Sequence, residues 1–274
     1  MRIDEITILG GHGRDGTTEP LARIDLCMGE VASVVGPTGS GKTALINDIG
    51  LFADGNTPTG RRVLVNGEAP PAEFLEDPAK NPIAMITQHT GFLSDMPVDR
   101  FLGLHARIRG SGRPESIVDE TLDFANQLTG EPVDVRAAMT ELSGGQSRAL
   151  LIADAVVIGH SPIILLDEIE NAGIDRARAL ELLRGYRKIF LFVTHDLHIA
   201  LRSDYRLVMR AGAMQQWIAT GEAERRAAER LRQLDDVMVR FRDRVRDGGT
   251  VSEEALEQEL ATFQRASAGG EVSP

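Results

Sequence analysis

The sequence holds a single cysteine, Cys27, which excludes a disulfide within the chain and a cysteine-cluster metal site. The expectation is one buried thiol in a reducing cytoplasm. Long apolar runs are also missing. The most apolar stretch, Ala149 to Ile158, is interrupted by Asp154 and ended by Gly159, well short of the roughly 20 residues a membrane span needs. The opening residues, MRIDEITILGG, carry acids and glycines where a secretory signal has a basic flank and an apolar stretch. The chain is therefore expected in the cytoplasm, free or peripheral on the inner membrane face. Positive charge is in deficit, 41 acidic against 30 basic residues for a net −11, which makes nucleic acid an unfavoured partner. Aromatics make up 4%, and none precedes Phe52. What is present is ordinary: 274 residues, 42% hydrophobic and 26% charged, a folded globular composition rather than a disordered or fibrous one.

Short aliphatic runs at Arg2 to Leu9, Val31 to Val35, Arg62 to Val65, Ile83 to Thr87, Ile163 to Asp167, Ile189 to Thr194 and Tyr205 to Arg210 predict strands, with helical stretches between most of the later ones. That alternation predicts an α/β fold over residues 1–215. Between about 89 and 141 the strand signal disappears, and Phe101, Leu102, Leu104, Ile108, Val118, Leu122 and Phe124 recur at helical intervals, predicting a helical insert. Residues 222–265 predict a C-terminal helical hairpin turning at Gly248 and Gly249. Leu231, Leu234, Met238, Phe241 and Val245 would form its first apolar seam, and Leu256, Leu260 and Phe263 its second. Thr250 and Glu253 have capping-box spacing, and arginines facing glutamates would set the register. The hairpin would serve dimer or partner contact, or pack on its own domain. Residues 266–274 are expected to be a frayed tail.

GPTGSGKT, comprising Gly36, Pro37, Thr38, Gly39, Ser40, Gly41, Lys42 and Thr43, lies between an apolar strand and a helical run starting at Ala44. Glycines there let backbone amides turn inward around phosphate oxygens at a helix N-terminus. Lys42 would bridge the β and γ phosphates and Thr43 would offer a hydroxyl to Mg²⁺. IILLDE ends an apolar strand in Asp167 and Glu168, suited to Mg²⁺ and to an attacking water respectively, although such a pair also caps helices. FLFVTHD ends in the same way at His195, which either reaches the γ phosphate or is structural.

The discriminating segment is LSGGQ, from Leu142 to Gln146. With GPTGSGKT, ITQ ending at Gln88, IILLDE and FVTHD in that order, the sequence resembles the ATP-binding cassette (ABC) family over roughly residues 1–215. That resemblance implies ATP and Mg²⁺ as cofactors and a P-loop ATPase domain. It implies that Gln88 touches Mg²⁺ and the water, and that Ser143, Gly144, Gly145 and Gln146 bind the γ phosphate held by a second subunit. A helix cap is the plainer account of that turn. Two cassettes would clamp two nucleotides head to tail, as a homodimer or a cassette heterodimer.

Two departures stand out. The family usually carries an adenine-stacking aromatic ahead of the phosphate loop; here His12 or Arg14 would stack instead, or the GGHGRDG segment is a solvated loop. After Glu168 the run is IENAGID, with Asp175 carried over as the subunit-contact aspartate. Two uses of hydrolysis compete. Either separate membrane-spanning subunits dock near Gln88 to Leu104, where Phe92, Leu93, Met96 and Phe101 form a groove or insert core, or a soluble partner protein is remodelled. The transporter reading is preferred.

Overall fold

The computed structural model describes residues 1–110, 112–168, 174 and 176–268. The elements of the first unit, Met1–Ala219, begin with β1 (Glu5–Leu9), β2 (Arg23–Cys27), β3 (Val31–Val35), α1 (Lys42–Gly50), β4 (Arg62–Val65), α2 (Glu73–Glu76) and β5 (Ile83–Ile86). There follow α3 (Val98–Ile108), α4 (Pro114–Leu128), a 3-10 turn at Met139–Glu141, and α5 (Gly144–Ala153), which runs on into a π-helical turn at Asp154–Ile158. The unit closes with β6 (Ile163–Asp167), α6 (Arg176–Arg184), β7 (Ile189–Val193), α7 (Leu197–Arg202), β8 (Tyr205–Arg210) and β9 (Ala213–Ala219).

Two sheets result. A small antiparallel sheet has the order β2-β1-β4, and a larger one the order β5-β6-β7-β3-β8-β9, parallel throughout except for β9. Why β6 and β7 are apolar without alternation follows from burial on both faces. Ile163, Leu165, Ile189, Leu191 and Val193 enter a core shared with α1 and the antiparallel sheet. Their neighbours Ile164, Leu166, Phe190 and Phe192 enter a second core with α3, α4 and α5. The chain is thus the expected α/β fold with a helical insert. Two strands escaped the sequence reading, β2 and β9, because each mixes charged or polar residues with few aliphatic ones.

The insert residues divide. Phe92 and Phe101 pack edge to face at 5.2 Å against the helical core, whereas Leu93 is fully exposed and Leu104 is 44% exposed. Cys27 corrects an expectation. It ends β2 on the solvent side and is exposed, and partial desolvation with the carboxylates of Glu30, Glu5 and Asp25 holds its thiol above the usual range.

The second unit starts at Thr220 and contains α8 (Glu222–Arg246) and α9 (Glu253–Ala268). Gly248 takes φ +79° at the reversal, a left-handed conformation that glycine adopts without strain. Arg240 Nη2 donates to Glu259 Oε2 at 2.6 Å across the hairpin. Two details differ from expectation. The cap of α9 is Ser252, whose hydroxyl accepts Ala255 N–H at 3.3 Å, in place of a Thr250–Glu253 box. The buried line of α8 passes through Val237, while Met238 and Val245 stay exposed. Among the described residues no helix is long and apolar enough to cross a membrane.

Candidate functional site

The carboxyl ends of three neighbouring parallel strands, β6, β7 and β3, converge on one cavity of about 220 Å³. It is lined by Arg14, the loop and helix start from Thr38 to Ala44, and Glu168, Val193 and His195. Open parallel sheets generally bind ligands at this edge.

After β3 the loop turns on glycines with positive φ, 78° at Gly39 and 100° at Gly41. A Cβ on Gly36 would collide with the Met209 carbonyl, and one on Gly41 would lie 2.8 Å from Gly212 Cα. Any side chain at either position would therefore open the loop. Lys42 Nζ donates to the Gly36 carbonyl at 2.9 Å and the Pro37 carbonyl at 3.3 Å, which holds its charge across the loop. Ser40 Oγ is buried without a hydrogen-bond partner.

Asp167 is the last residue of β6. Glu168 follows at φ +50°, a strained conformation for a non-glycine residue, with its N–H donated to Val193 O at 3.0 Å. Its Oε1 lies 3.5 Å from His195 Nε2. Downstream, Asp196 caps α7 by accepting the N–H groups of His198 and Ile199, while Thr194 Oγ1 accepts Asp196 N–H at 2.9 Å. These bonds fix the turn that carries His195.

The other sequence candidates lie outside this cavity's lining. Ser143 caps α5: its Oγ accepts Gln146 N–H at 3.2 Å, and Gln146 Oε1 accepts Ser143 N–H at 3.0 Å. This is a complete capping box, with Gln146 Nε2 also donating to Pro132 O. Gly144 and Gly145 form the first turn of that helix, with open space around the Cβ position of Gly144. The Gln88 carbonyl accepts from Arg148 Nη2 of α5 at 2.7 Å, so the end of the β5 segment is tied to the helix that begins at the LSGGQ turn. Asp175 and the run 169–173 lie outside the described residues.

Beneath the loop is a charge network that sequence reasoning missed. Arg61, fully buried, donates through Nη2 to Glu19 Oε1 at 2.5 Å and through Nη1 to Asp48 Oδ2 of α1 at 3.0 Å. Its Nη2 also donates to the Gly212 carbonyl at 2.7 Å, and Gly212 N–H in turn donates to Ser40 O at 2.8 Å. The phosphate loop is therefore braced from the antiparallel sheet and from the β8–β9 turn. Strand alternation carried the signal, since Arg61, Val63 and Val65 share the buried side while Arg62 and Leu64 do not.

A phosphate-binding loop after the central strand of a parallel sheet, with a carboxylate and an imidazole at the adjacent strand ends, defines a P-loop nucleotide hydrolase. The profile of the family described as ABC transporter matches residues 22–171. The chain belongs to that family and is an ABC-type ATPase. It is 49% identical over 256 residues to an uncharacterized ABC transporter ATP-binding protein of Methanocaldococcus jannaschii, covering 93% of this chain and 98% of the relative. It is 29% identical over 231 residues to the lipoprotein-releasing system ATP-binding protein LolD of Shewanella frigidimarina, covering 76% and 90%. Its fold is similar to that of an ATP-binding cassette dimer solved in a post-hydrolysis state with ADP and Pi, with TM-score 0.59, 19% identity and coverage of 79% and 99%. It is equally similar, at TM-score 0.59 and 22% identity, to cbiO1 of Clostridium perfringens, covering 86% and 99%.

Proposed function

We propose that this chain binds Mg-ATP between two head-to-tail cassettes and couples its hydrolysis to membrane-spanning subunits of a transporter. The observation that carries the hydrolytic part is the single cavity joining the phosphate loop to Glu168 and His195. The loop fits a triphosphate, because Gly39 is open where a Cβ would project, Gly36 and Gly41 let the backbone turn where a side chain would clash, and Ser40 Oγ is buried and unsatisfied. Pro37 and Thr38 carry the loop over the phosphates, and Lys42 leaves its two carbonyl partners for the β and γ oxygens. Glu168 accepts a proton from water whose oxygen attacks the γ phosphorus. The bond to the β–γ bridging oxygen breaks, giving ADP and phosphate. His195 donates to the γ phosphate.

Among the described residues no group of three or more His, Cys, Asp or Glu side chains could hold a metal. Mg²⁺ would therefore be shared between phosphate oxygens and Thr43, Asp167 and Gln88, as is usual for this hard, hydrated ion. It supplies charge neutralisation at the phosphates when bound. Ser143, Gly144, Gly145 and Gln146 stand away from their own chain's cavity, which supports their use on the nucleotide of a second subunit. A homodimer is the simplest assembly, and a cassette heterodimer meets the same requirement.

Membrane subunits would dock near Gln88 to Leu104, where Leu93, Met96 and Leu104 are exposed and the Gln88–Arg148 bond leads to the LSGGQ helix. The chain would then work at the cytoplasmic face, held there by those subunits. Purification of the tagged chain from detergent-solubilised native membranes tests this. A multi-span protein should co-purify in fixed ratio; recovery entirely from detergent-free cytosol, in complex with a soluble enzyme, overturns the transporter role in favour of partner remodelling.

A further inference from the structure

We propose that Lys188 is an acylation site, its amine facing a surface groove suited to a small acyl phosphate. The groove is separate from the nucleotide site and lies at the other end of the parallel sheet, where β7 begins.

Lysine is scarce in this chain. Of its 30 basic residues 27 are arginine, and the lysines are Lys42, Lys80 and Lys188. An arginine keeps its proton in any protein setting, whereas a buried lysine readily gives it up. Lys42 belongs to the phosphate loop, and Lys80 is a half-exposed partner of Glu73 at 2.8 Å. Lys188 is only 9% exposed, and its Nζ donates to the Ser161 carbonyl at 2.9 Å. Its backbone is held on both sides, its N–H donating to Tyr186 O at 2.8 Å and its carbonyl accepting Gly29 N–H at 3.1 Å. The amine is therefore fixed in place.

Lys188 lines a groove of about 410 Å³. Part of its wall is apolar, from Ile117 of α4 and from Val156 and Val157 of the π-helical turn that continues α5. Arg187 also lines it and is exposed, presenting a planar fork of donors that matches a phosphate group. The other titratable groups of the lining are Tyr186, Glu120 and His160. Tyr186 donates to Glu120 Oε1 at 3.2 Å, and burial together with that carboxylate pushes its phenol up to about 12. Burial pushes the Lys188 amine the other way, down to about 8. At about pH 8 roughly half of it is then unprotonated, against below about 1% of an ordinary lysine amine. A neutral amine between an apolar wall and a guanidinium meets both halves of an acyl phosphate, the wall taking the acyl chain and Arg187 the phosphate.

The Lys188 nitrogen attacks the acyl carbonyl carbon with its lone pair. A C–N bond forms, the C–O bond to the phosphate breaks, and the proton lost by the nitrogen leaves on the departing phosphate as hydrogenphosphate. The amide product keeps one N–H for the Ser161 carbonyl, so the hydrogen bond that fixes the side chain survives the reaction. The acyl group replaces a buried amine by a neutral group against Val156 and Val157.

Incubation of the full chain with acetyl phosphate at about pH 8, with acetylation at each lysine followed by peptide mass spectrometry, tests the site. Lys188 should react at least about 10-fold faster than Lys80, whose hydrogen bond to Glu73 raises its pKa. That ratio allows for the weaker nucleophilicity of a less basic group, which offsets part of the gain in free amine. Arg187→Ala should slow Lys188 with acetyl phosphate by about 10-fold and leave its reaction with p-nitrophenyl acetate, a neutral acyl donor, unchanged. In guanidinium chloride the unfolded chain should acetylate Lys188 and Lys80 alike. A folded chain in which Lys188 reacts no faster than Lys80 overturns the proposal, as does a preference that survives unfolding. Equal slowing by Arg187→Ala with both donors, or slowing with neither, overturns the fit to an acyl phosphate.

Discussion

Substituting Arg61 by Met removes a guanidinium that sits with no exposed surface between two carboxylates that are themselves buried, Glu19 and Asp48. The side chains are similar in length, so packing is largely retained and the change isolates charge. Glu19 keeps the N–H groups of Gly11 and Met214, and Asp48 keeps the Thr59 hydroxyl, which soften the loss. Two buried anions nevertheless remain without a cation, and the Gly212 carbonyl loses its donor. Breaking a buried pair in this way costs about 3–5 kcal/mol, a large share of the roughly 5–15 kcal/mol that stabilises a domain. For a unit of this size that corresponds to a fall in Tm of roughly 6–20 °C.

Trp217, the sole tryptophan, lies on β9 stacked on Tyr205 at 4.9 Å, so urea unfolding followed by its fluorescence reports on the unit that contains the network. Adding Glu19→Gln to Arg61→Met should recover part of the loss by removing one orphaned charge. A loss below about 1 kcal/mol for the single variant would show instead that the buried carboxylates tolerate isolation.

Burial pushes the ammonium of Lys188 down to about 8 from 10.5, even with its donation to Ser161 O at 2.9 Å. The unfolded chain therefore binds more protons between these values, and stability should rise with pH through about 8 to 10.5, by at most about 3 kcal/mol. Lys188→Met should remove that rise and stabilise the protein at pH 7, as urea midpoints across the range will show. Ser143→Arg should block hydrolysis while its own phosphate loop still binds ATP. Mixing it with Lys42→Ala should restore part of the activity, whereas none in a demonstrated mixed dimer would contradict head-to-tail sharing.

What could be read from the sequence follows the physics of burial. β3, β6 and β7 are central and covered on both faces, so their apolar runs declare them. β2 lies at the edge of its sheet with only Ile24 and Leu26 inward, and β9 is the antiparallel edge of the other, which is why neither was visible. The phosphate loop was legible because its glycines answer a local steric demand. Its bracing was not, because an arginine's burial depends on partners 42 residues away at Glu19 and 13 away at Asp48. Cys27 is exposed for a different reason: strand parity puts it on the outer face, a fact available only once β2 is known.

The proposed ATP site on the phosphate loop depends on Glu168 to activate water. Glu168→Gln keeps the shape of the side chain but cannot accept the proton. Steady-state hydrolysis measured beside ATP binding on the same preparation should show binding retained and turnover reduced by at least about 100-fold, with the ATP-bound variant eluting as a dimer. Turnover at the wild-type rate would exclude Glu168 as the base.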